Sequence, residues 1–177
     1  IYLANIGMSS YIGYFFGMQG IVSIFMPALM GIIADRWIQA QRLLGICHLF
    51  AGIFMFAAAY YGYVQGSNAT FSILFTLYSF SVAFYMPTLA LSNSVAYQSL
   101  IQSGQDTIKD FPPIRIFGTI GFICAMWFVD LLGYKSTYSQ FVTSGVLSII
   151  LFLYTFALPR CPIAKRNQAN NVVDALG

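Results

Sequence analysis

The chain has 177 residues, of which 59% are hydrophobic and 18% aromatic, while only 7% are charged. A soluble globular domain carries about 25% charged residues, so this chain lacks the polar side chains needed to cover a water-exposed surface and is expected to face a lipid bilayer. The net charge of +3 is small and scattered, which excludes the dense basic patch of a nucleic-acid partner.

Five apolar segments are long enough to cross a bilayer, for which a helix needs about 20 apolar residues. In chain order they cover residues 12–34, 43–64, 71–100, 113–132 and 141–158. The first stops at Asp35 and Arg36, and the last stops before Pro159. The predicted fold class is therefore an all-α, polytopic membrane protein with about five transmembrane helices.

The basic residues predict an orientation. Seven of the eight lysines and arginines fall on one side of these helices: Arg36, Arg42, Lys109, Arg115, Arg160, Lys165 and Arg166. Only Lys135 falls on the other side, so the first side is expected in the cytoplasm and residue 1 outside. We therefore expect a missing first helix, with residues 1–158 forming most of an N-terminal six-helix bundle. Polar residues 159–177 are expected to form a cytoplasmic linker towards an absent C-terminal half.

A charged loop joins the first two predicted helices and contains Gly31, Asp35 and Arg36. The carboxylate is placed to cap the next helix or to pair with an arginine across the loop, and the glycine would let another helix approach closely. A cluster of charges that only marks the membrane boundary explains the spacing equally well. The pattern resembles the loop signature of the major facilitator superfamily, where the loop joins the second and third helices.

A second motif opens the fourth predicted helix, where Asp110 and two prolines predict a helix start. At 100° per residue, Arg115, Thr119 and Phe122 fall within about 60° of one another. A guanidinium, a hydroxyl and a ring on one face suit a polar solute that carries a ring. An arginine that snorkels to water is the alternative interpretation.

Two further polar residues within the predicted helices, Gln19 and Asn93, are possible cavity-lining groups, although interhelical hydrogen bonding explains them nearly as well. We find no nucleophile paired with a base and no metal-ligand spacing. The chain is therefore not expected to be an enzyme or to bind a metal or cofactor.

Three stretches, residues 25–31, 83–89 and 110–122, resemble the nucleoside:proton symporter family, a branch of the major facilitator superfamily. The resemblance extends from about Ser10 to Lys165. It implies uptake of a small-molecule nucleoside across the cytoplasmic (inner) membrane by alternating access, with the proton as coupling ion. In that family the Arg, Thr and Phe of the last stretch contribute to the nucleoside site, and they correspond here to Arg115, Thr119 and Phe122.

Two alternative functions stay open at this point. The motif is also similar to the sugar-transporting branch of the superfamily, which has a Trp where this chain has Phe122 and an acid that the third predicted helix lacks. A sugar or glycoside:proton symporter is therefore one alternative, and a non-transporting membrane solute sensor is the other. Because no carboxylate lies deep in a predicted helix, the proton carrier is expected in the absent half.

Overall fold

The computed structural model describes residues 1–161, which form helices and no strands. The helices are α1 (Tyr2–Asn5), α2 (Ile12–Arg36), α3 (Ala40–Gln65), α4 (Phe71–Gln102), α5 (Thr107–Leu131) and α6 (Ser139–Tyr154). All except α1, counted with their adjoining 3-10 turns, are long and apolar enough to cross a membrane. The prediction of an all-α fold with five transmembrane helices is confirmed. Most of the predicted linker, residues 162–177, lies outside the described residues.

The start of α5 differs most from the predicted bounds, because the helix begins at Thr107 and not at residue 113. Asp106 is the N-cap residue, and its carboxylate accepts a hydrogen bond from the Ile108 backbone N–H at 2.9 Å. Pro112 and Pro113 therefore lie in the second turn, where each removes one helical hydrogen bond. Membrane helices tolerate this loss where water or neighbouring groups satisfy the freed carbonyls.

The packing centres on α3, which contacts α4 on one side and α6 on the other, while α2 packs against α4. Small residues bring α3 and α6 close together. A Cβ atom added at Gly52 would lie 3.1 Å from Ser148 Cβ and 3.3 Å from the Gly145 carbonyl oxygen. Close backbone approach through glycine is typical of helix pairs in membranes, where dispersion contacts replace the hydrophobic effect as the driving force.

Three apolar clusters are spread along the bundle. One joins the end of α2, the start of α3, the last turns of α4 and Cys161; another joins α1 to the opposite ends of the helices; a third joins the middles of α2 and α4. We call the end that carries the first cluster the basic end, because Arg36, Arg42, Lys109 and Arg160 lie there. The alternating helix directions thus bring these four basic residues to one end of the bundle and Lys135 to the other.

Helix α5 stands apart from the rest of the bundle and contains no buried residue. At the basic end the Phe111 ring stacks on Tyr97 of α4, with centroids 4.0 Å apart. At the other end Asp130 forms an ion pair with Lys135 in the turn that follows. The middle of α5 is therefore covered by no other element of residues 1–161.

Candidate functional site

Arg115 lies deeper in its helix than the sequence predicted. Because α5 begins at Thr107, Arg115 is more than two turns, or about 12 Å, from the helix start. The unfavourable effect of the helix dipole on a cation fades within the first turn, so the dipole does not oppose an arginine at this position. An arginine within a membrane-spanning helix is costly unless it faces protein, a polar cavity or a ligand.

Arg115, Thr119 and Phe122 share one face of α5, and all three side chains are exposed. The Thr119 hydroxyl donates a long 3.4 Å hydrogen bond to the Arg115 backbone carbonyl. Within the described part of the chain the guanidinium has neither a hydrogen-bond nor an ion-pair partner, and the Phe122 ring is 64% exposed. The face therefore presents five N–H donors beside an uncovered aromatic ring.

The other two polar residues singled out in the sequence lie elsewhere. Gln19 on α2 is half-buried and lines a cavity of about 240 Å³ between α2, α3, α4 and α6. Asn93 on α4 is half-buried and lines neither this cavity nor the larger one described below. In residues 1–161 the structure thus brings together the three α5 residues but joins neither Gln19 nor Asn93 to them.

The cavity at Gln19 is polar on several sides, and sequence reasoning missed most of its lining. Its other polar groups come from α4 and α6: Tyr78, Ser81, Tyr85, Ser144 and Ser148. The Ser81 hydroxyl donates to the Ala51 carbonyl at 2.9 Å, so part of this polarity is used within the bundle. Ser144 and Ser148, one turn apart in the apolar helix α6, were the sequence feature that could have indicated this cavity.

Two more cavities each share a tyrosine of α4 with this one. Tyr85 is shared with a cavity of about 470 Å³ near the basic end, to which α5 contributes Ile114. Tyr78 is shared with a cavity of about 180 Å³ at the opposite end, where α1 contributes Tyr2 and Leu3. All three cavities are lined by residues of both α4 and α6, and we call this row of cavities the α4–α6 groove. His48 lines its larger cavity, and its Nδ1 is buried without a partner among residues 1–161.

The loop motif lies at the end of α2. Asp35 and Arg36 are exposed, and within residues 1–161 neither forms an ion pair. The N-cap of α3 is Gln39, so Asp35 neither caps that helix nor pairs with a described arginine, as the sequence had suggested. A Cβ atom added at Gly31 would meet no described atom within 4 Å. The role of Gly31 in helix packing stays a prediction, and among residues 1–161 the close helix approach through glycine lies between α3 and α6.

Five helices that are long and apolar enough to cross a membrane define a multi-pass membrane protein, and Arg115, within one of them, has no partner among residues 1–161. The family described as "Nucleoside H+ symporter" matches residues 1–177, and the chain belongs to that family. The resemblance found in the three sequence stretches is confirmed.

Relatives and solved structures agree with this assignment. The chain is 45% identical over 159 residues to "Nucleoside permease NupG" of Escherichia coli strain K12, which is 90% of this chain and 36% of that protein. It is 39% identical over 175 residues to "Xanthosine permease" of the same organism, covering 98% of this chain and 38% of the relative. A crystal structure of a mutant of nucleoside transporter NupG matches with a TM-score of 0.87 and 40% identity, over 98% of this chain and 42% of that one. The chain thus spans about two fifths of the length of the proteins that it matches.

Proposed function

We propose that this chain is part of a secondary active transporter that takes up nucleosides together with protons across the cytoplasmic membrane by alternating access. The family is one of permeases and not of enzymes, and the relatives carry the names of nucleoside and xanthosine permeases. The observation that carries the proposal is the exposed face of α5, where Arg115, Thr119 and Phe122 lie together without partners in the rest of the bundle.

The chemistry of this face suits a nucleoside. The Arg115 guanidinium donates to oxygens of the base or the ribose, and a hydrogen bond with one charged member is stronger than a neutral one. The Phe122 ring offers a flat surface on which a base can stack. The Thr119 hydroxyl can both donate and accept. Recognition of this kind needs no bond to be broken in the solute.

The rest of the transporter supplies what residues 1–161 lack. We place the basic end in the cytoplasm and a preceding first helix in the α4–α6 groove. Helix α1 lines the outer end of that groove. The middle of α5 has no buried residue, which leaves room beside it for a further helix. A C-terminal half then faces Arg115 and contributes the carboxylate that carries the proton, since the described acids lie near helix ends or in loops. Rocking of the two halves around this site gives alternating access.

The experiment that tests the proposal measures uptake of labelled uridine into vesicles that contain the full-length protein, with and without an imposed proton gradient. We expect accumulation that collapses when the gradient is dissipated. Uridine that merely equilibrates would contradict proton coupling. Binding without uptake would favour a solute sensor, and uptake of sugars alone would favour the other branch of the superfamily. The family and its relatives favour neither of these alternatives.

Replacing Asp35 by Asn is expected to lower the maximal uptake rate several-fold while the KM for uridine stays unchanged. Asp35 is exposed at the basic end and far from the α5 face, so its charge acts on the change between conformations and not on the solute. Asp106→Asn is the matched control, because it removes a carboxylate from the same end and Asn caps a helix equally well. A large loss of affinity at an unchanged maximal rate would contradict this role for Asp35.

A further inference from the structure

Two glutamines hold the chain where it leaves α6 and passes the basic end. The Gln41 side-chain oxygen accepts a 3.0 Å hydrogen bond from the Cys161 backbone N–H. The Gln102 side-chain nitrogen donates to the Arg160 carbonyl at 3.0 Å. Residues 160 and 161 are thus each bound through the backbone by a side chain from a different helix, 58 and 120 positions away in sequence.

The bond between Gln41 and Cys161 is buried, since the two residues are 3% and 1% exposed. Cys161 packs in the apolar cluster that joins α2, α3 and α4 at the basic end. The Gln41 amide nitrogen donates to the Gln39 side-chain oxygen at 3.0 Å, so both ends of this buried amide are satisfied. A buried amide in an apolar cluster is unfavourable without such partners. The site therefore requires a side chain that accepts a hydrogen bond from residue 161.

Gln41 also belongs to the element that follows the loop motif. It lies in the first turn of α3, five residues after Arg36, and the residues between form the α2–α3 loop. That loop is short, and Gln39 and Gln41 are linked by their side chains. A displacement of the loop therefore pulls directly on the backbone of Cys161.

We propose that Gln41 is a positioning residue of the transport cycle, which ties the segment after α6 to the α2–α3 loop so that the two move as one unit. The bond itself is independent of the proposed function, whereas its role in transport rests on nucleoside:proton symport. Two separate measurements, one of Cys161 accessibility and one of uptake, keep the two ideas distinguishable.

The first measurement is the rate at which a maleimide labels Cys161 in the detergent-solubilised full-length protein, read by mass spectrometry of the peptide that contains it. In the native protein we expect slow labelling, because the thiol is buried and burial raises its pKa. Gln41→Met keeps the side-chain volume but removes the acceptor, and should speed labelling about tenfold. Gln105→Met, at an exposed glutamine of the same end, is the matched control.

Labelling of Gln41→Met at the native rate would overturn the inference. If that variant fails to fold, the native protein provides the test. We expect Cys161 to be labelled at least about a hundredfold more slowly in the native protein than after denaturation. Equal labelling rates would show that Cys161 is not held in place by Gln41. The second measurement is uptake, for which we expect Gln41→Met to lower the maximal rate several-fold at an unchanged KM, while Gln105→Met leaves both unchanged. Fast labelling with normal uptake would overturn the positioning role. A native protein that takes up no nucleoside would refute the proposed function and leave the labelling result valid.

Discussion

Replacing Arg115 by Ala should reduce uridine uptake at least about a hundredfold while the protein still inserts into the membrane. The guanidinium has no partner within residues 1–161, so its removal leaves no described group unpaired and should not disturb the bundle. Two lost hydrogen bonds to a charged donor, each contributing about 1.5–3 kcal/mol, correspond to a loss of this size. Uptake per inserted molecule, at several uridine concentrations, measures it.

Three further variants separate recognition from charge and folding. Arg115→Lys keeps the charge but loses the planar fork, and should recover little of the uptake. Thr119→Val removes one hydroxyl and should reduce uptake about fivefold. Lys109→Ala removes a cation from the same helix at a side chain that is 82% exposed, and should leave uptake unchanged. Normal uptake by Arg115→Ala would remove Arg115 from the site, and with it the observation on which the proposed function depends.

The sequence predicted those features that arise within a single helix. Lipid requires each spanning segment to satisfy its backbone internally, so apolar length alone identifies the five spans. The face formed by Arg115, Thr119 and Phe122 follows from the helical period, because the three residues lie on one uninterrupted helix, α5. Neither prediction requires knowing which helices are neighbours.

The features that sequence reasoning missed depend on contacts between helices or on competing local signals. Pro112 and Pro113 favour a helix start, but the Asp106 cap six residues earlier determines it. The polar cavity combines tyrosines and serines of α4 and α6, and no local pattern relates them. The bond between Gln41 and Cys161 joins residues 120 positions apart. Such pairings are set by how α3 packs against its neighbours, which hydropathy does not encode.

The contact between α3 and α6 depends on glycines that no sequence pattern singles out. Gly45 and Gly52 lie seven residues apart, so they share a face of α3. A Cβ atom at Gly45 would collide with the Thr155 hydroxyl, and one at Gly145 would lie 3.0 Å from the Phe56 ring. Neighbours on both helices therefore occupy the space that any larger side chain would need.

Replacing Gly52 by Leu should therefore destabilise the protein by about 3 kcal/mol, the upper range for overpacking a close contact, and lower the Tm in detergent by about 10 °C. The Gly145 carbonyl oxygen, 3.3 Å from the added Cβ, is backbone and cannot rotate away. Leucine is a better helix former than glycine, so any loss must come from packing. Gly20→Leu is the control, because a Cβ there meets no described atom within 4 Å, and its Tm should be unchanged or slightly higher. An unchanged Tm for Gly52→Leu would show that α3 and α6 can separate without cost, and that glycine does not set their distance.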